Sequence, residues 1–202
     1  MNMPIRQLEN GATPADPETV LDFLAEQGLT STTCDHAPMF TVIDSQALRP
    51  PNVDGGYTKN LFLRNKKGIM WLVTCDEHQS VDLRHLGTGL GAGRLSFASQ
   101  ERLMRFLGIT TGAVSPLALI NDVTNKVRFA IDQSLLRHEQ LHVHPLVNTL
   151  TTTLKTTGLL EFAITTGHPP VYLKFNQDTS VTVDESNNKI CLLYTSDAAD
   201  EL

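Results

Sequence analysis

The longest apolar run in the chain, Ile69 to Val73 (IMWLV), follows the turn signal Asn65-Lys66-Lys67-Gly68. A second strand-like stretch, Lys59 to Leu63, stands on the other side of that turn. Two such runs flanking a glycine-containing turn predict a β-hairpin over Lys59 to Cys75, and the core sheet is expected to begin there. The same run sets an upper limit, because a membrane helix needs roughly 20 apolar residues. The start, MNMPIRQLEN, lacks the basic and apolar regions of a signal peptide, so the expectation is a soluble cytoplasmic protein. With 41% hydrophobic residues in 202, the chain can build one domain with a core, which excludes disordered and fibrous classes. Cys34, Cys75 and Cys191 are odd in number and lack metal-ligand spacing, which points to reduced thiols.

Along the chain, Asp16-Pro17 supplies an N-cap and a first-turn proline, Val20, Leu21, Phe23 and Leu24 recur at helical spacing, and Gly28 supplies a stop. A helix is expected over 17–27. A polar stretch to Pro38, the short apolar run MFTVI and a Pro/Gly-rich loop, ALRPPNVDGGYT, follow. After the hairpin, Asp82 to Leu86 can form a short helix, and Ser99 caps a second, QERLMRFL, closed by Gly108. The glycine-rich LGTGLGAGRLS between them has neither dinucleotide-binding nor P-loop spacing and reads as a flexible connection. Val127 to Ile131, Val147 to Leu154 and Val171 to Phe175 are strand-like, and Leu159 to Ile164 reads as a helix stopped by Gly167. Strands and helices without regular βαβ alternation predict a compact α+β or mixed-sheet domain.

The final segment, Cys191 to Glu201 (CLLYTSDAADE), resembles the conceptual translation of a transposase adapter used in DNA library preparation. Residues 191–202 are therefore expected to be a non-native tail, with the domain confined to 1–190. The whole chain carries a net charge of -6, which argues against bulk nucleic-acid affinity. Without Asp197, Asp200 and Glu201 the balance is 19 acidic against 16 basic residues, or -3. A nucleic-acid partner then requires only a local basic face.

Residues 138–142 spell a literal H-E-x-x-H, the zinc motif of metallopeptidases, which needs both histidines on one face of a helix. Pro145 follows too soon for a helix through His142 to continue, and a third ligand is not evident. His142 and His144 could instead share a strand face. Cys75 ends an apolar strand, Cys34 lies in a polar loop, and the chain has no G-x-S-x-G elbow, so no covalent mechanism is indicated. The acidic side chains Asp44, Asp54, Asp76 and Asp82 fall where turns and caps would put them.

Seven segments in one order carry more information than any single motif. They are K-N-L-F-L (59–63), D-L-R-H-L (82–86), L-S-F-A-S-Q-E-R-L (95–103), L-G-I-T-T-G-A-V-S-P (107–116), L-I-N-D (119–122), H-P-L-V-N-T (144–149) and T-G-H (166–168). From about residue 17 to about 183 the chain resembles the YbaK/ProRS-associated editing domain, and within it the free-standing Ala-tRNA(Pro) deacylase branch, also called PrdX or ProXp-ala. The resemblance implies a mixed, partly barrel-like β-sheet surrounded by helices. It also implies hydrolysis of the ester that joins a wrong amino acid to the terminal ribose of a tRNA. Such editing exists because a missing methylene is worth only about 1–3 kcal/mol of discrimination, so a second site clears what the synthetase admits.

By the same resemblance, Lys59 is the central lysine and engages the terminal phosphate or the aminoacyl carbonyl, while Asn60 helps hold the substrate. Gly112 and Pro116 fall on the glycine and proline of a G-x-x-x-P loop that offers backbone groups to the ester or its water. His144 falls on an active-site histidine, His168 on the histidine of the T-G-H segment, and Val81 and Val143 on walls of a small amino-acid pocket. The chemistry implied uses no metal or other cofactor, and the substrate's own ribose hydroxyl assists. The implied partners are the acceptor end of mischarged tRNA(Pro), with prolyl-tRNA synthetase or an elongation factor as escort, and no membrane. Arg64, Lys66 and Lys67, with Arg84 and Arg94, are candidate phosphate contacts. Two other readings stand beside this one: an inactive tRNA- or synthetase-binding module of the same fold, and a zinc metallopeptidase built on His138, Glu139 and His142.

Overall fold

Asp16 accepts a hydrogen bond from the Thr19 amide and Pro17 occupies the first turn, so helix α1 (Pro17–Glu26) begins where local capping dictates. The computed structural model describes residues 7–49 and 53–184; the terminal segment 191–202 lies outside them. After α1 come strand β1 (Ser31–Asp35), helix α2 (Val42–Leu48), strands β2 (Gly56–Asn65) and β3 (Met70–Asp76), and helix α3 (Leu83–Gly89). Next are β4 (Leu95–Phe97), α4 (Gln100–Leu107), a 3-10 turn (Pro116–Asn121), β5 (Val127–Asp132) and a second 3-10 turn (Gln133–Arg137). The chain closes with β6 (Gln140–Val143), β7 (Leu150–Lys155), α5 (Thr156–Thr165), β8 (Val171–Phe175) and β9 (Val181–Val183).

One mixed sheet results, in the order β1-β7-β6-β2-β3-β5-β8-β9, with β4 paired to β2. Parallel pairs are β2 with β6, β3 with β5, and β5 with β8. The hairpin forms around Asn65 to Gly68, where Gly68 takes φ +82. β2 is the pivot: Gly56 and Tyr57 pair with β6, Thr58 to Arg64 with β3, and Leu63 to Asn65 with β4.

Both faces of β3 are covered, which explains its unbroken apolar run. Met70 and Leu72 enter the larger core, with α1, α4 and α5, whereas Trp71 and Val73 enter a smaller one with Leu86 of α3 and Val181 of β9. α4 buries Leu103, Phe106 and Leu107 on one stripe, starting from the Ser99 cap and ending at left-handed Gly108.

The glycine-rich stretch is packed where a flexible connection was expected. A Cβ at Gly87 would stand 2.1 Å from the Gly93 carbonyl oxygen, and one at Gly89 would stand 2.2 Å from that of Val181. These glycines permit close backbone approach and let α3 lie against β9. Three strands and a helix fall outside the sequence expectation. β1 is a polar threonine strand, β4 and β9 have three residues each, and α2 begins inside MFTVI, whereas β6 takes up the strand alternative to a helix at His142 and ends before His144.

Candidate active site

Thr41 and Asp44 form a reciprocal capping box that starts α2 and sets the preceding residues, Met39 and Phe40, beside the middle of β2. The Thr41 hydroxyl and the Phe40 amide hold the Asp44 carboxyl below the usual carboxylate range, the Phe40 bond first. Asn148 fastens the same segment: its side-chain Nδ2 donates to the Met39 carbonyl at 3.0 Å, and its backbone carbonyl accepts from the Met39 amide. Between this segment, β2, the start of α4 and the turn at Thr111-Gly112 lies a cavity of about 440 Å³. Lys59, Asn60, Gly112 and His144 all line it.

Asn60 is oriented by its strand neighbours. The Thr74 hydroxyl donates to Asn60 Oδ1 at 2.7 Å and Asn60 Nδ2 donates to Thr58 Oγ1 at 3.4 Å, leaving one amide hydrogen for a substrate. His144 stands just past β6 with Nδ1 2.7 Å from the Leu150 carbonyl oxygen. Since a carbonyl can only accept, Nδ1 carries the hydrogen and Nε2 the lone pair. Burial lowers the His144 pKa, His36 at 5.8 Å between rings adds to that, and the Leu150 bond opposes it. The ring is therefore a neutral acceptor at pH 7.

Lys59 pairs in register with Cys75, so alternation sets its side chain on the sheet face opposite that of Asn60 and Thr74. Among the described residues no carboxylate pairs with its ammonium. Burial pushes the Cys75 thiol up to about 12 despite the pull of Lys59, so Cys75 is no thiolate nucleophile. Gly112 takes φ +91, and a Cβ there would meet Phe40 Cδ1 at 3.0 Å and Asn148 Nδ2 at 3.2 Å. Its N–H has no acceptor among the described residues.

The remaining expected positions lie elsewhere. Pro116 is buried at the start of its 3-10 turn, Val143 belongs to the larger core, and Val81 packs on the smaller one. His168 is only 2% exposed, with Nε2 3.2 Å from Asp122 Oδ2, a carboxylate that also accepts from the Val127 amide. Arg64 is on β2, and exposed Lys66 and Lys67 occupy the hairpin turn, roughly 25 Å along the strand from Lys59. The apolar wall is made instead by Met39, Phe40, Val42, Phe62, Leu103 and Val114. Buried Glu77 also lines the cavity, bonded to Arg49 Nη1 at 2.8 Å, with Arg49 stacked 4.1 Å over the Tyr57 ring. The capping pattern Thr41-x-x-Asp44 was the sequence signal for α2; nothing local signals the Arg49–Glu77 pair.

The H-E-x-x-H segment is not helical, which removes the geometry a metallopeptidase requires. His138 ends a 3-10 turn and residues 140–143 form β6. The His142 ring is bonded at both nitrogens, to Thr153 Oγ1 and to the Asp54 carbonyl. Among the described residues no cluster of three or more His, Cys, Asp or Glu side chains could hold a metal, and no helix is long and apolar enough to cross a membrane.

A family model for the aminoacyl-tRNA editing domain matches residues 36–162. The chain belongs to the aminoacyl-tRNA editing domain family. The match contains Lys59, Asn60, Gly112 and His144 and stops short of His168. The prolyl-tRNA editing protein ProX of Acetoanaerobium sticklandii is 38% identical over 138 residues, 68% of this chain and 84% of its own length. The prolyl-tRNA synthetase associated domain-containing protein 1 of Bos taurus is 32% identical over 160 residues, 77% of this chain and 92% of its own. Among solved structures, a candidate trans-editing enzyme for prolyl tRNA synthetase superposes with a TM-score of 0.59 at 17% identity, covering 79% of this chain and 98% of that one. That likeness establishes the editing-domain fold.

Proposed function

We propose that this editing-domain protein is a trans-acting aminoacyl-tRNA deacylase whose substrate is Ala-tRNA(Pro), acting without a metal. The observation that carries the reading is the convergence of Asn60, Gly112 and His144, from three distant parts of the chain, on one cavity of about 440 Å³ whose lining also includes Lys59 of the opposite sheet face. The names of the ProX and synthetase-associated relatives support a prolyl-tRNA substrate.

In the reaction, a water oxygen bonds to the ester carbonyl carbon, the bond from that carbon to the ribose oxygen breaks, and the ribose oxygen recovers a proton. An activated ester needs a placed water and stabilisation of the developing oxyanion more than a nucleophile. The Gly112 N–H, without an acceptor among the described residues, is suited to the oxyanion. His144 Nε2 can accept from the water or the ribose hydroxyl, and Asn60 Nδ2 can donate to the substrate. Lys59 supplies positive charge for the terminal phosphate, and the apolar wall sets the size of the amino acid.

A panel of tRNAs charged with Ala, Cys, Ser, Thr and Pro tests activity and specificity together. Accelerated release of alanine from tRNA(Pro), with cognate prolyl ester spared, is the expected result. Binding of charged tRNA with no acceleration for any ester would overturn the enzyme reading in favour of a binding module.

A further inference from the structure

A concentration of positive charge lies away from the cavity. Lys67 from the hairpin turn, Arg102 and Arg105 from α4, and Lys126 and Arg128 from the start of β5 line an open groove of about 490 Å³. Five of the chain's 16 lysines and arginines thus meet in one place, although the chain as a whole is acidic. Glu9 is the single acidic residue among the groove's lining residues, and it is already neutralised by Lys126 at 2.7 Å and Arg105 at 3.4 Å. Helix α4 separates the groove from the cavity: Gln100 and Leu103 line the cavity, while Arg102 and Arg105 line the groove. The two sites therefore lie on either side of α4, with Lys67 at the far end of the groove from the cavity.

We infer that this groove binds backbone phosphates of the tRNA acceptor stem while the charged 3′ end occupies the cavity. The inference rests on the deacylase reading for the identity of the RNA. Its physical basis is separate: a cation cluster with one compensated carboxylate attracts a polyanion, and phosphate contacts supply most of the salt-dependent affinity for nucleic acid. An acidic protein segment would satisfy the same charges, but a cavity suited to an aminoacyl ester on the other side of α4 favours the RNA.

The test measures binding of uncharged full-length tRNA across a salt series. The proteins compared are wild type, the triple variant Arg102→Ala/Lys126→Ala/Arg128→Ala, and a control that loses two exposed lysines elsewhere, Lys155→Ala/Lys174→Ala. Thermal melting confirms that all three fold. The triple variant is expected to bind about tenfold or more weakly at ~0.1 M salt, with the slope of log K against log salt reduced by about 2–3; the control changes less than twofold. Equal affinity and slope in the triple variant and wild type, an equal loss in the control, or no tRNA binding by wild type would each overturn the inference. Hydrolysis by wild type distinguishes the two readings. A wild type that deacylates while the triple variant binds normally refutes the groove and leaves the deacylase; one that binds through the groove but hydrolyses nothing does the reverse.

Discussion

The Nδ1–H of His144 donates to the Leu150 carbonyl oxygen across 2.7 Å, which fixes the imidazole as the tautomer with its lone pair on Nε2. Leu150 opens β7, so the tautomer is set by strand geometry rather than by a mobile side chain. Replacing His144 with alanine removes the acceptor and leaves the carbonyl without this donor. Deacylation in single turnover is expected to fall about 10²-fold, at the low end of what a positioned proton acceptor contributes. An unchanged rate would assign His144 to structure alone.

Burial lowers the pKa values of His142 and His144 below the ordinary imidazole value of 6.5. Between the lowered folded values and 6.5 the unfolded chain binds more protons, so stability must fall as pH drops below about 6.5 and level off beneath the folded values. Each histidine adds at most about 1.4 kcal/mol per pH unit inside that window. Urea unfolding at pH 7.5, 6.5 and 5.5 is expected to show this loss, and His144→Gln should make the slope shallower. An identical slope in the variant would mean that His144 titrates alike in both states.

His168 and Asp122 form a buried pair remote from the cavity wall, and Asp122 also accepts from the Val127 amide at 2.6 Å. His168→Ala leaves a void and a buried carboxylate with fewer donors, a loss of about 2–4 kcal/mol. Chemical denaturation checks that figure. Deacylation per folded molecule is expected to change less than fivefold; a drop beyond tenfold in the folded variant would return His168 to substrate binding.

Elements with local signals were legible in the sequence. Asp16 and Gly28 bracket α1, Ser99 and Gly108 bracket α4, and the hairpin declares itself through Gly68 and the run after it. β1 was not legible because its threonines, Thr32 and Thr33, gain strand form only by pairing with Thr153 and Thr152 of β7, more than a hundred residues away. Gly87 and Gly89 looked like a flexible connection because the spacing signals neither the fold-back of the segment that brings the Gly93 carbonyl to Gly87 nor the approach of the Val181 carbonyl of β9 to Gly89. The same limit governs the site. Lys59, Asn60, Gly112 and His144 were found through resemblance and not through spacing, and Val81, Val143 and Pro116 followed the same route to positions off the cavity. Glu77 and Arg49, 28 residues apart, meet only once α2 is laid across the end of β2.

Gly112 separates backbone strain from cavity chemistry. Its φ of +91 makes any L side chain strained, and a Cβ would also press on Phe40 Cδ1 at 3.0 Å and Asn148 Nδ2 at 3.2 Å. Gly28 offers the comparison: at φ +70 it has the same kind of backbone, with nothing within 4 Å of its Cβ position. Both Gly112→Ala and Gly28→Ala are expected to lose about 1–2 kcal/mol of stability from strain. Only the change at Gly112 shifts the Phe40 wall and the loop whose N–H has no acceptor among the described residues. Deacylation should therefore fall at least tenfold in Gly112→Ala and stay within twofold in Gly28→Ala, compared at equal folded concentration. Equal losses in the two variants would reduce Gly112 to a turn residue and remove it from the reaction.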